Sequence, residues 1–325
     1  MTGTGSEMSF FQVLVEALAL TLWAVPPYLY AALGEVFAQR SGVLNLGVEG
    51  MMLMGAFSAI YVVSGKGLGL DPLVGLLVAI LVGGLMGLAM AVVSVTFQAE
   101  QGISGIGFTL FGLGLSSLLF KVLAGGVITA QGNSFQPIHI PGLSDLPVVG
   151  KIFFQQNVLV YGALALVPIS VWVLNRTRWG LQVRAVGQNP TAADAMGVNV
   201  ARVRYSAVIL GGIMAGVAGA SLSIALTPIF QENMTEGRGF IAVALVYFGG
   251  WSPWRVMWGA LLFSIANNLQ IWAQILNVQI GGADVPPNLL IMVPYILTIV
   301  VLIFARQRRR LEPAALTKPF ERGEA

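Results

Sequence analysis

The chain has 325 residues, of which 56% are hydrophobic and 10% are charged. Soluble domains carry about 25% charged residues, so this composition and the mean hydropathy of +0.82 indicate a membrane protein. The absence of cysteine and the single histidine exclude disulfides and multi-histidine metal centres, and a net charge of only +3 does not favour a nucleic-acid-binding protein.

Long stretches without charged residues predict membrane-spanning helices, each of which needs about 20 mostly apolar residues. In chain order, the candidate spans are 17–34, 50–65, 72–99, 101–120, 152–175, 205–231, 239–254, 256–283 and 285–305. The sequence therefore predicts an all-α polytopic membrane protein with about nine membrane segments. The N-terminus carries no Lys or Arg, so we expect the first segment to be retained and not cleaved as a signal peptide.

Lys and Arg residues predict the orientation, because basic residues favour cytoplasmic loops. Five arginines lie in the polar stretch 176–204 and four follow the last predicted span, so both regions are expected in the cytoplasm. Arg40 and Arg255 fall on the same side, and four basic residues fall outside: Lys66, Lys121, Lys151 and Arg238. The N-terminus is then also expected outside, unless 17–50 folds as two half-helices.

The chain is predicted to form a single transmembrane domain over 1–325, with three regions outside the bilayer. The Gly- and Pro-rich stretch 121–156 is expected to be an external loop. The stretch 176–204 is too polar for lipid, and 306–325 is expected to be a basic cytoplasmic tail.

Glycines in two predicted spans are spaced for close helix packing. They form the pairs Gly83–Gly87 and Gly212–Gly216, each four residues apart. Small residues at this spacing let helix backbones approach one another. Packing within one subunit is favoured over a dimer interface.

The segment 34–57 interrupts the apolar pattern with glycines, Asn45 and Glu49. Broken helices at membrane depth are tolerated where they are buried or line a cavity, and Gly-interrupted segments point to substrate sites in transporters. An acidic residue beside an apolar run is a functional candidate. It also suits the first turn of a helix at 50–64, where the helix dipole favours an acid. Glu49 is therefore predicted either to line a pathway or to cap a helix.

Neutral polar side chains interrupt two further predicted spans. They suit hydrogen bonding to an uncharged polar solute, and they suit equally well hydrogen bonding between helices. With the two polar residues of 34–57 they form the candidate substrate pathway: Asn45, Glu49, Ser104, Thr109, Asn267 and Asn268.

The polar stretch 176–204 contains the signature of a short helix. Asn189 is a favourable N-cap, Pro190 suits the first helical turn, and Gly197 suits the residue that ends the helix. A helix of about two turns is not stable alone in water, so it needs the flanking chain or a partner. The stretch is predicted to be either an ordinary connector or a partner-binding element with the alanines at 192–193 in a shallow groove.

The chain lacks the common motifs of catalysis and nucleotide binding. It has no G-x-x-x-x-G-K-[ST] phosphate loop, no G-x-S-x-G, no H-E-x-x-H and no acidic calcium loop. Its predicted spans contain no series of acidic or histidine residues for a proton relay. We therefore expect no catalytic, metal or cofactor site, and we expect the energy for any transport to come from a partner.

Two segments resemble a known family. SGVLNLGVEGMMLMGAF (41–57) and WGLQVRAVGQNPTAADAMGVNVARVR (179–204) are similar to permeases of bacterial ABC importers for branched-chain amino acids, simple sugars and nucleosides. The SGV-N-G-EGMM form and GRGFIAVALVYFGGWSPW (237–254) are most similar to the nucleoside and simple-sugar branch. The resemblance covers most of 25–305 and implies a helical fold like that of the vitamin B12-type importer permeases.

By this resemblance, TAADAMG (191–197) matches the coupling helix that docks on an ATP-binding subunit, although Thr191 stands where the family has Glu and Asp194 follows the alanines. The implied coupling residues are Arg184, as an electrostatic contact, with Asn189, Pro190, Thr191, Ala192, Ala193, Asp194, Met196 and Gly197.

The resemblance also implies a function and partners. The chain is expected to be a non-catalytic permease subunit of an ATP-driven importer in the bacterial inner membrane. Nucleosides are the leading substrate, followed by simple sugars and then branched-chain amino acids. The expected partners are ATP-binding subunits, a second permease subunit in a heterodimer, and an external substrate-binding lipoprotein. The alternative classes are a stand-alone secondary transporter or channel, which would need ionisable groups along its path, and an intramembrane enzyme, which would need a catalytic pair.

Overall fold

The computed structural model describes residues 10–126, 128–129, 133–275, 279–280, 283–284, 290, 292–305 and 311–321. Most of these residues are helical. The helices are α1 (Phe10–Trp23), α2 (Pro26–Arg40), α3 (Val48–Val63), α4 (Pro72–Ala91), α5 (Gln101–Ala124), α6 (Val149–Phe153), α7 (Val158–Arg176), α8 (Arg178–Gln188), α9 (Pro190–Ala195), α10 (Val200–Ser221), α11 (Arg238–Gly249), α12 (Pro253–Ile275) and α13 (Val293–Ala305).

Short irregular elements complete the described fold. The π-helical turns Val92–Thr96 and Leu222–Leu226 extend α4 and α10. Two antiparallel pairs join β1 (Ile128–Thr129) to β2 (Ile229–Phe230) and β3 (Gln279–Ile280) to β4 (Ala283–Asp284).

Side-chain caps fix where several helices begin. The Asp71 carboxylate accepts the Leu73 N–H at 2.8 Å before Pro72 opens α4. Glu100 accepts the N–H groups of the first turn of α5, and Asn157 caps α7. These acceptors satisfy backbone donors that a helix leaves free at its N-terminus.

The glycines of α4 and α10 bring the two helix backbones into contact. A Cβ on Gly83 would lie 2.3 Å from the Gly212 carbonyl oxygen, and a Cβ on Gly212 would lie 2.6 Å from the Gly87 Cα. A Cβ on Gly216 would lie 3.1 Å from the Gly83 Cα. The predicted close packing is confirmed, and it occurs within one subunit.

Five helical segments of the described chain are long and apolar enough to cross a membrane. They are Leu14–Arg40, Pro72–Thr96, Gln101–Ala124, Val158–Arg176 and Val200–Leu226. The apolar helices α3 and α11 are shorter. The described chain is thus mostly helical and consistent with a polytopic membrane protein, and the expected count of nine segments is not confirmed by the described residues.

Several predicted span boundaries are wrong. They are placed at charged residues, and the helices continue past these residues. The span predicted at 17–34 is interrupted at Ala24 and Val25 and then continues as α2 through Glu35 to Arg40. Helix α5 runs to Ala124, which shortens the external loop predicted at 121–156.

Two further boundary predictions change in the second half of the chain. The stretch 176–204 is mostly helical and contains α8, α9 and the start of α10. Residues 279–280 and 283, in the span predicted at 256–283, belong to strands β3 and β4 and not to a helix. Residues 306–310 and 322–325 of the predicted tail lie outside the described residues.

Helix α11 begins in the interior of the molecule. It has 12 residues, about 18 Å, which is shorter than the roughly 30 Å of a bilayer core. Its first residue, Arg238, lies beside Tyr28 of α2, and its side chain is 13% exposed. Tyr28 is twelve residues before Arg40, or roughly 18 Å along the helix. The segment before α11 therefore turns inward, so Arg238 begins a helix, and its placement on the external side stays a prediction.

Basic residues are separated toward two ends of the molecule, as the sequence predicts. We call the end formed by the 40–44 turn, α8, α9 and 311–321 the α9 end. Arg40 and Arg255 bind backbone carbonyls there. At the opposite end, Lys121 pairs with Glu232, and Lys151 pairs with Glu16.

Candidate functional site

Helix α9 lies at the α9 end with half of its residues exposed, and its ends form as the sequence predicts. The Asn189 side chain accepts the Ala192 N–H at 3.0 Å, Pro190 is the first helical residue, and Gly197 takes a φ of +84°. A left-handed residue after a helix is most readily glycine. The predicted short helix is confirmed.

The side chains of α9 divide into an outer and an inner set. Thr191, Ala192 and Met196 are exposed, and Met196 is 84% exposed. Ala193 is only 6% exposed and packs into the hydrophobic core. The expectation that both alanines lie in a partner's groove is therefore wrong for Ala193, which faces its own chain. An apolar, exposed Met beside small residues suits contact with a partner.

The remaining predicted coupling residues are less exposed. Asp194 is half-buried beside the start of α10. Arg184 of α8 is half-buried too, and its Nε atom has no hydrogen-bond partner among the described residues. Its partial burial favours a role inside the α9 end more than on the outer surface.

Glu49 lies at a buried junction between α3 and the start of α11. Its side chain is 3% exposed. One carboxylate oxygen accepts the Thr235 hydroxyl at 2.5 Å and the Gly237 N–H at 2.7 Å, and the other accepts the Gly239 N–H at 2.6 Å. A Cβ on Gly239 would lie 2.7 Å from the Glu49 Cα, so only glycine permits this approach.

This geometry matches helix capping, although of a different helix from the predicted one. Glu49 sits in the first turn of α3, as expected, but its carboxylate meets the N-terminus of α11. Unpaired N–H groups and the positive end of the dipole make that terminus a favourable place for an anion. The three hydrogen bonds tie α3 to a segment that lies 186 to 190 residues away.

Two other pathway candidates surround the same segment. The Asn45 side chain is fully buried and accepts the Gly47 N–H at 3.0 Å. The Thr109 hydroxyl of α5 donates to the Leu46 carbonyl at 2.9 Å. The structure therefore brings Asn45, Glu49 and Thr109 together around the start of α3.

The other three candidates lie elsewhere. Ser104 is half-buried on α5. Asn267 and Asn268 lie on α12, where the Asn268 amide donates to the Leu20 carbonyl of α1 at 3.4 Å. That bond favours a link between helices, one of the two interpretations of these polar residues.

A second buried polar group, which the sequence pattern did not indicate, lies beside Asn45. Glu35 and Gln39 of α2 are fully buried, and Gln39 donates to Glu35 at 3.1 Å and accepts the Trp251 indole N–H at 2.9 Å. Asn45 faces the same carboxylate. The other Glu35 oxygen has no hydrogen-bond partner among the described residues. The four-residue spacing of Glu35 and Gln39 on one helix face was the available signal.

The chain is similar to one protein family over most of its length. Residues 17–302 match the family described as the permease component of the branched-chain amino acid transport system. No solved structure matches the chain significantly.

Individual relatives are similar along nearly the whole chain. The chain is 37% identical to the guanosine ABC transporter permease protein NupQ of Bacillus subtilis, over 91% of the chain and 93% of NupQ. It is 39% identical to the putative glucose ABC transporter permease protein TsgC13 of Haloferax volcanii, over 97% and 99%. It is 36% identical to the nucleoside ABC transporter permease protein NupC of Lactococcus lactis, over 85% and 87%. A second ABC transporter permease from each of these organisms also matches, at 25%, 26% and 23% identity respectively.

Proposed function

The chain belongs to the permease family of branched-chain amino acid transport systems, and from this membership we propose that it is the membrane-spanning subunit of an ATP-driven nucleoside importer. The observation that carries the proposal is the 36–37% identity to a nucleoside and a guanosine permease over most of the chain. The buried polar groups around the start of α3 are compatible with passage of an uncharged polar solute.

Energy for import comes from separate ATP-binding subunits in this proposal. The sequence has no phosphate loop of its own. Helix α9 offers an exposed surface at Thr191, Ala192 and Met196, while the buried Ala193 anchors it to the chain. We place the α9 end and the C-terminus on the cytoplasmic side of the inner membrane, because arginines favour that side.

Import follows a change in the helices around the start of α3. ATP binding draws the two ATP-binding subunits together and displaces α9, and the displacement switches access to the path between the two sides. Glu49 holds α3 and α11 together during this change, because its carboxylate accepts hydrogen bonds from the Thr235 hydroxyl and the Gly237 N–H, directly before α11. Asn45 and Thr109 shape the segment beside the path.

A second permease subunit completes the membrane part. In each of three organisms the chain matches two permeases, one at 36–39% identity and one at 23–26%. The chain covers only 68–80% of the length of the more distant member. This pattern supports a heterodimer with a longer partner. An external binding lipoprotein would deliver the solute and supply most of the specificity.

A sugar importer is the second candidate. It is favoured by the 39% identity to the putative glucose permease of Haloferax volcanii, which extends over 97% of the chain. Nucleosides and sugars both carry hydroxyl groups that neutral polar side chains can bind. The permease residues alone therefore do not distinguish these two substrates.

Uptake by the assembled transporter tests the proposal. The chain is expressed with an ATP-binding subunit, a second permease and a binding lipoprotein of this transporter class from its own genome, in cells lacking other nucleoside uptake. We expect accumulation of labelled guanosine that is lost when the phosphate-loop lysine of the ATP-binding subunit is replaced. Uptake of glucose instead would support the second candidate. Uptake that persists without the ATP-binding subunit would show a stand-alone transporter and refute both.

A further inference from the structure

The C-terminal segment 311–321 is docked on the α9 end, although its composition resembles a solvated tail. Ala315 and Leu316 are 4% and 5% exposed, and Leu316 belongs to the hydrophobic core. The preceding Ala314 is exposed. An exposed alanine followed by a buried alanine and a buried leucine shows that one side of the segment packs against the protein.

Four hydrogen bonds fasten the segment to four separate parts of the chain. Two use backbone groups of the segment's middle, and two use its last residues. The Ala315 N–H donates to the Gly187 carbonyl at 2.9 Å, the Thr317 N–H to the Gly42 carbonyl at 3.2 Å, Arg204 to the Lys318 carbonyl at 3.1 Å and Gln98 to the Phe320 carbonyl at 3.1 Å. The partners lie at the end of α8, in the turn after α2, near the start of α10 and before α5.

The backbone conformation of Gly42 and its tight contact with the segment together favour glycine. Gly42 has a φ of +93°, and a Cβ there would lie 3.0 Å from the Ala315 carbonyl oxygen. It would also lie 3.1 Å from a guanidinium nitrogen of Arg204, which is 2% exposed. A Cβ on Gly187 would lie 2.0 Å from the Arg40 carbonyl oxygen. The ends of α2 and α8, the start of α10 and the segment therefore meet in one tightly packed junction.

The far end of the segment reaches the α9 region itself. Phe320 lines a cavity of about 380 Å³ together with Asp194, Gly197 and the first residues of α10. Helix α9 has only six residues, and Ala193 is its buried residue. Its own anchorage is thus slight, so neighbouring elements determine how it moves with the rest of the chain.

We propose that 311–321 is a coupling strap, which fastens the end of α8, directly before α9, to the turn after α2 and to the start of α10. When an ATP-binding subunit displaces α9, the strap carries that displacement to α2, which holds the Glu35 group, and to α10, which packs against α4. The proposal rests on the proposed function, since it assigns the strap a part in transmitting force from the ATP-binding subunit.

Cysteine labelling tests whether the strap is docked in the assembled complex, whatever the substrate. The chain has no cysteine, so Ala314→Cys and Ala315→Cys provide matched single reporters, one exposed and one buried. With a water-soluble maleimide we expect Ala315→Cys to react at least about tenfold more slowly, because reaction requires local opening. Equal rates would show an undocked segment and overturn the proposal.

Transport by glycine variants tests the coupling itself. In Gly42→Ala the new methyl group presses on the strap, whereas in Gly142→Ala a similar φ of +82° is strained but the surrounding space is open. We expect nucleoside uptake per ATP hydrolysed to fall about tenfold in Gly42→Ala, a change equivalent to 1.4 kcal/mol, while Gly142→Ala matches the wild type. A chain ending at residue 310 should hydrolyse ATP in the complex with little uptake.

The results that would contradict the strap proposal differ from the result that would contradict the proposed function. Equal uptake per ATP in the two glycine variants would overturn the strap's role in coupling. Loss of the Gly42→Ala complex on co-purification would make the segment a folding element, which also overturns it. Absence of ATP-driven nucleoside uptake in the wild type would instead refute the proposed function, and the labelling rates would still report whether the segment is docked.

Discussion

Replacement of Glu49 by glutamine is the sharpest perturbation of the α3–α11 junction. The side chain keeps its size, but one carboxylate oxygen becomes an NH₂ group. In the wild type both oxygens accept hydrogen bonds, from Thr235 and Gly237 on one side and from Gly239 on the other. The amide therefore places a donor against a donor at one of these positions.

The expected loss follows from the bonds that the amide cannot make. A hydrogen bond to a charged group contributes about 1.5–3 kcal/mol, and a buried donor left without an acceptor costs about 1–3 kcal/mol. Loss of the charge also removes about 0.3–2 kcal/mol of interaction with the N-terminus of α11. Removing a buried charge offsets part of this cost. We expect Glu49→Gln to lower the free energy of unfolding by about 2–4 kcal/mol.

Thermal unfolding of the purified permease in detergent measures this loss. Glu35→Gln is the matched control, because Glu35 is equally buried but one of its oxygens has no partner among the described residues. We expect the control to change stability by less than about 1 kcal/mol, since its charge is poorly compensated. If Glu49→Gln is no less stable than Glu35→Gln, the capping interpretation of Glu49 is wrong.

Five further variants, in three tests, separate surface contacts from internal packing. Ala192→Arg should reduce co-purification of the ATP-binding subunit at least about tenfold without changing the permease melting temperature, whereas Ala193→Arg should lower that temperature because it inserts a charge into the core. Gly212→Ala should destabilise the permease by about 1–3 kcal/mol in the same melting assay, because its Cβ meets α4, and Gly114→Ala, in open space, should be neutral. Asn268→Leu should keep uptake within about twofold, because its amide serves α1; loss of uptake with normal assembly would assign it to the path.

Features set by neighbouring residues were predictable from the sequence. The helix at 190–195 is specified by an N-cap, a proline and a terminal glycine within nine residues, and it forms as expected. The glycine spacing of α4 and α10 likewise predicted their packing, because close backbone approach needs small residues at that interval.

Features set by distant residues were not predictable in this way. Nothing near Glu49 identifies Thr235 or Gly239 as its partners, and the inward turn before α11 has no pattern of its own. The charge of Glu35 interrupts the apolar pattern of a span, so the pattern does not show that α2 continues past it. The helix buries this carboxylate because Gln39 and Asn45 face it. The docking of 311–321 depends on backbone groups of Gly42 and Gly187, which carry no side-chain signal.

The glycine contact between α4 and α10 has a consequence for how the protein is made. The ribosome must add the residues from Ala91 to Val200 between the two helices, which takes on the order of ten seconds at about 5–20 residues per second. During that interval α4 sits in the lipid without its partner. The span Pro72–Thr96 that contains α4 has a mean hydropathy of 2.7, the highest of the five candidate spans, which favours its insertion before α10 is made. Helix α4 therefore meets two separate requirements. Its leucines stabilise it in lipid, and its glycines let it pack against α10.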